Sequence, residues 1–139
     1  METFEPIKIV GVVADEITTP RNDGTDGSSL YAIPLRLSER PPAEWSEIFR
    51  HTWDRPPQWT SMHRPGIALV RGDKIILDGT TIEELEQYHR ATALLAVAEA
   101  NRLYVEYLAK RQAQEEREAE RIRHHQENVR DRSKDIKFD

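Results

Sequence analysis

The chain contains no cysteine. That absence excludes a disulfide framework, a thiolate metal site and a cysteine nucleophile. Positive charge is also in short supply: 20 Lys and Arg against 25 Asp and Glu give a net charge of −5. The deficit is local, since residues 1–109 carry a net −6 and residues 110–139 a net +1. Phosphate recognition needs clustered cations, so an acidic body disfavours nucleic acid. No window approaches the roughly 18 apolar residues that a membrane span requires. The opening METFEPIKIVG has neither the basic start nor the apolar run of a secretory signal. These absences predict a cytoplasmic chain with no membrane segment.

Chemical motifs are missing too. There is no phosphate-binding G-x-x-x-x-G-K-[ST], no dinucleotide G-x-G-x-x-G and no nucleophile elbow G-x-S-x-G. Asp15, Glu16, Asp23 and Asp26 lack the alternating oxygen-ligand spacing of a calcium loop. Nothing calls for a cofactor or a resident metal, and none is expected.

What is present reads as β-β-α-β-β-α, with about four strands. Ile7 to Val13 is a β-rich run, apolar on both faces, that suits a strand buried on both sides or lying against another subunit. Residues 18–29 are turn-formers and predict a mobile loop. Tyr31, Ile33, Leu35 and Leu37 alternate with smaller or polar residues, and Pro34 places that strand at an edge or a bulge. Pro41-Pro42 opens a helix whose Trp45, Ile48, Phe49, Thr52 and Trp53 form one stripe; Pro56-Pro57 ends it. Residues 67–77 predict a hairpin turning at Gly72-Asp73, and Thr81 with Glu84 forms a capping box for a long helix. The pattern predicts an α+β two-layer sandwich over residues 1–109, with a long C-terminal helix extending from it. Residues 110–139 are then a charged helical extension or a partly disordered tail.

All three tryptophans lie within residues 44–66. Trp45 and Trp53 belong to the buried stripe of the first helix, while Trp59 sits in an aperiodic loop. With Arg50, Arg55, His63 and Arg64 it makes a cationic-aromatic patch suited to a nucleotide or a stacked base. His51, Asp54 and His63 are the residues that an acid–base or metal-dependent enzyme would use. Neither reading is the preferred one.

The preferred reading comes from the long helix. On a wheel anchored at Leu85, the residues Leu85, Tyr88, Thr92, Leu95, Ala96, Leu103 and Tyr107 face the sheet. A second stripe remains: Leu94, Ala98, Asn101, Val105 and Leu108, spaced 4, 3, 4 and 3 as in a coiled-coil seam. Ile122 and Val129 continue it seven residues apart. A surface helix needs an apolar stripe only about 100° wide. The excess predicts a non-enzymatic interaction module, a subunit or adaptor that buries this stripe against a protein partner or a second copy.

Overall fold

A computed structural model describes residues 4–25 and 27–139. Asp26 of the predicted loop, and the first three residues of the N-terminal reading, lie outside the described residues. The chain is α+β, and the predicted element order is the observed one. The strands are β1 (Ile9–Val12), β2 (Tyr31–Leu37), β3 (Ala68–Arg71) and β4 (Lys74–Thr80), with helix α1 (Ala43–Asp54) between β2 and β3. After β4 come α2 (Ile82–Glu84), a π turn (Leu85–His89) and α3 (Arg90–Ser133). The chain divides into two compact units, Met1–Tyr104 and Val105–Asp139.

In the first unit the sheet is antiparallel, in the order β1-β2-β4-β3. Ile33, opposite Leu77, and Leu35, opposite Ile75, form buried rows on one face. The α1 stripe supplies the other half of the core, with Trp45, Phe49 and Trp53 fully buried and the rings of Trp45 and Phe49 stacked 5.5 Å apart. Fully burying side chains of this size stabilises by about 1.5–3 kcal/mol each.

Two placements differ from the sequence reading. β2 is an interior strand, paired on both sides. Pro34 is tolerated there because its carbonyl accepts from Val13 N–H, 3.0 Å away. Within a strand, a residue's N–H and C=O point to the same side. The missing donor therefore faces the flank where β1 has already ended, and no ladder bond is lost. β1, in turn, is not buried on both sides within the chain: it is an edge strand, and Val10 is 66% exposed, which overturns the first of the two expectations for it and leaves a contact with another subunit untested. Ile9 lies opposite Leu37 and Val12 opposite Leu35, so three steps on β1 match two on β2. That bulge turns Ile9 and Val12 to the same face.

The helical stretch begins as predicted, with Thr81 Oγ1 accepting from Glu84 N–H at 3.1 Å. Its register then departs from the wheel. The residues buried are Leu85, His89, Thr92, Ala93, Ala96, Val97, Ala100 and Tyr104, while Leu95 is 40% exposed. The π turn explains the difference. It takes more residues per revolution than an α turn, so a wheel of constant step carried through it is rotated for the later residues: Thr92 and Ala96 stay within the buried arc, while Leu95 leaves it and Val97 enters it. The buried arc contains three alanines, which lets the helix backbone approach its neighbours closely.

The second unit is helical from Val105 to Ser133. Val105, Ile122 and Val129 are exposed along it. Pairs such as Arg121–Glu118 and Arg123–Glu120, both i,i+3, support the exposed helix.

Candidate functional site

The loop after α1 is held by Trp53 at the end of α1 and by the loop's own His63. His63 Nε2 donates to the Trp53 carbonyl at 2.7 Å, and Trp53 Nε1 donates to the Arg64 carbonyl at 3.0 Å. Gly66 N–H donates to Asp54 Oδ1 at 2.7 Å. Arg64 then reaches the start of the helical stretch, where its Nε and an Nη donate to the two oxygens of Glu84 at 3.0 and 2.8 Å. Thr80 Oγ1 adds a third bond to Glu84, at 3.0 Å. Glu84 thus serves the loop and β4 rather than reaching back to its own helix cap. The hydrogen bonds from Arg64 hold its carboxyl below the usual carboxylate range; burial opposes this, and the Thr80 hydroxyl adds to it.

His89 completes this cluster, and no reading of the sequence singled it out. Its side chain is fully buried, against Trp53 at a ring separation of 5.6 Å. Its Nε2 lies 3.7 Å from Glu84 Oε1, beyond hydrogen-bond length, and both ring nitrogens are unpartnered. Burial pushes its pKa below the ordinary histidine value; Glu84 acts the other way, and His63 and Arg64 reinforce the fall. Burial therefore disfavours the charged form of His89, and its ring is closed off from solvent. The one sequence signal for it was a histidine four residues after Leu85 on the core-facing side.

This geometry places the residues of the two minor readings. His51 is exposed on α1, Asp54 caps Gly66, and His63 is turned onto Trp53. Among the described residues, no group of three His, Cys, Asp or Glu side chains could hold a metal ion. Of the cationic-aromatic patch, Trp59 is 58% exposed and meets His63 edge-on at 5.1 Å. Arg55 is exposed, Arg50 pairs with Glu47, and Arg64 spends its fork on Glu84. A guanidinium engaged in this way has few donors left for a phosphate.

The candidate interface residues fall in both units. In the first, Leu94 is 45% exposed and Ala98 is exposed, but Asn101 is engaged at home. Its Oδ1 accepts from Trp45 Nε1 at 2.9 Å and from Ile7 N–H at 3.0 Å, while Nδ2 donates to Ile7 O at 2.9 Å. In the second, Val105 is 53% exposed, Ile122 and Val129 are exposed, and Leu108 is half-buried.

Leu94 also borders a feature the sequence did not announce. An apolar groove of about 440 Å³ runs between β1 and the helical stretch. Ile9, Val10 and Val12 line one side, and Ile82, Leu85, Ala93 and Leu94 the other, with Glu86 and Arg90 as its charged members. Its exposed apolar side chains are adjacent rather than scattered, which is the pattern of a contact surface.

Fold and surface together define a small α+β domain with an uncovered apolar groove. No protein-family model, curated protein or solved structure gives a significant match to the chain. Among the described residues, no helix is long and apolar enough to cross a membrane.

Proposed function

We propose that this chain is a non-enzymatic association module, a subunit or adaptor of a protein assembly. The observation that carries the reading is the contiguous set Val10, Val12, Ile82 and Leu94, left uncovered around the groove. Val105, Ile122 and Val129 offer further uncovered positions in the second unit. Each large aliphatic left in water forgoes about 1.5–3 kcal/mol relative to burial. A partner that covers several of them gains a substantial driving force. Trp59 offers a smaller, separate contact.

The test is sedimentation velocity on the isolated chain over a wide concentration range, and on the chain purified gently from its own cells. The reading expects a mass above the monomer in at least one preparation. It also expects reversion to monomer in the double variant Leu94→Glu/Val105→Glu. A monomer in both preparations, or an assembly that the double variant leaves unchanged, would overturn it.

A further inference from the structure

Four residues lining the groove repeat every fourth position along the helical stretch: Ile82, Glu86, Arg90 and Leu94. Read in either direction the row is apolar, charged, charged, apolar, and reversing it exchanges the signs. On a regular α-helix a four-residue repeat drifts sideways, because a turn takes 3.6 residues. The π turn at Leu85–His89 falls within this row, and its wider turn cancels part of that drift. The four side chains therefore border one groove.

From this row we infer that the groove is covered by a second copy of the chain, with the two helical stretches antiparallel about a two-fold axis at position 88. In that arrangement Glu86 of each copy faces Arg90 of the other, and Ile82 faces Leu94. One contact thus makes two charge pairs and two apolar pairs, the self-complementarity that a two-fold interface demands. Glu86 and Arg90 are both exposed, and among the described residues neither forms an ion pair within the chain, so both charges are available. Val10 and Val12 line the same groove and add apolar surface for the copy to cover. Strand addition to the β1 edge is the poorer alternative, since the bulge between Ile9 and Gly11 interrupts the ladder a new strand would extend.

The inference rests on the association reading, and its test separates the two. Glu86→Arg and Arg90→Glu each place like charges opposite one another twice in the dimer. Each alone is expected to raise the dimer dissociation constant at least tenfold in sedimentation equilibrium. Mixing the two variants in equal amounts aligns opposite charges at both positions, so a heterodimer should form about as tightly as the wild type. The double variant Glu86→Arg/Arg90→Glu should likewise self-associate. Unchanged circular dichroism and melting temperature establish that the single variants are folded; a variant that melts early is replaced by Glu86→Gln or Arg90→Gln, expected to weaken the dimer about threefold. If the wild type assembles but the single variants assemble equally well, or mixing rescues nothing, the two-fold arrangement is wrong and association stands. If the isolated wild type is monomeric at every concentration while the chain from its own cells is assembled, the inference is overturned and association stands; a monomer in both preparations overturns both.

Discussion

Asn101 and Ile7, 94 positions apart, exchange a reciprocal pair of hydrogen bonds: the Asn101 amide accepts from the Ile7 N–H and donates to its carbonyl. The same Oδ1 also receives the indole N–H of Trp45. One side chain thus joins α3, α1 and the segment leading into β1. A polar residue out of keeping with a coiled-coil seam is the clamp that ties the segment leading into β1 to α1 and α3.

Removing that clamp leaves the Ile7 backbone and the Trp45 indole without partners in a buried setting. Asn101→Ala is expected to cost about 2–4 kcal/mol, from lost bonds and unsatisfied groups. Asn101→Leu should destabilise by a similar amount, whereas in a solvent-facing seam it would strengthen association. Urea denaturation of both variants decides between the two roles, and a cost below about 0.5 kcal/mol would refute the clamp.

His89 and Glu84 link folding to pH in the same direction. Folded His89 is held below its ordinary value, so as pH falls the unfolded chain takes up that proton first. Its contribution is fully present above a pH of about 6.5 and declines below it. Glu84 has a depressed folded pKa, and its contribution is present above about pH 4.3 and is lost as the pH falls through the folded value. Urea midpoints should therefore drop on acidification from about pH 7 to 5.5, and His89→Gln should flatten much of that drop. An identical slope in the variant would exclude His89 as its source.

The Arg64–Glu84 pair is partly buried, with side-chain exposures of 35% and 15%. Its two parallel bonds fasten the loop after α1 to the start of the helical stretch. Arg64→Ala is expected to cost about 1–2 kcal/mol, between exposed and fully buried pairs. Arg64→Lys should recover less than half, because an ammonium cannot supply the fork. Thermal melts read both, and full rescue by lysine would show that charge alone suffices.

Leu94 and Val105 already face solvent in the chain by itself. Replacing both with glutamate should change monomer stability by no more than about 0.5 kcal/mol each. Assembly should nevertheless be abolished, as light scattering at two concentrations would show. A variant that unfolds instead would show that these side chains support the domain itself.

Much of the architecture was legible because it depends on local periodicity. Alternation identified β2, proline pairs bracketed α1, and Thr81 marked the start of the helical stretch. The three-four spacing of Trp45, Ile48, Phe49, Thr52 and Trp53 named the part of the core that α1 supplies. Other features were not legible because their causes are not local. The position of β2 depends on which strand lies beside Pro34, and the rotation of α3 depends on a π turn, which leaves no mark in a wheel of constant step. The excess of apolar helix surface was visible beforehand, but its division was not. Val97 turned inward and Asn101 became a clamp, while Leu94 and Val105 stayed outside.

By itself the sequence determined the element order, the stripe of α1 and the surplus of apolar side chains, since residue spacing along one chain is enough to set those. Tertiary structure alone decided that Val10, Val12, Ile82 and Leu94 border one groove, and that His89 and Glu84 share one buried cluster. Those neighbourhoods join residues distant in the chain or reset by the π turn, and only packing in three dimensions brings them together.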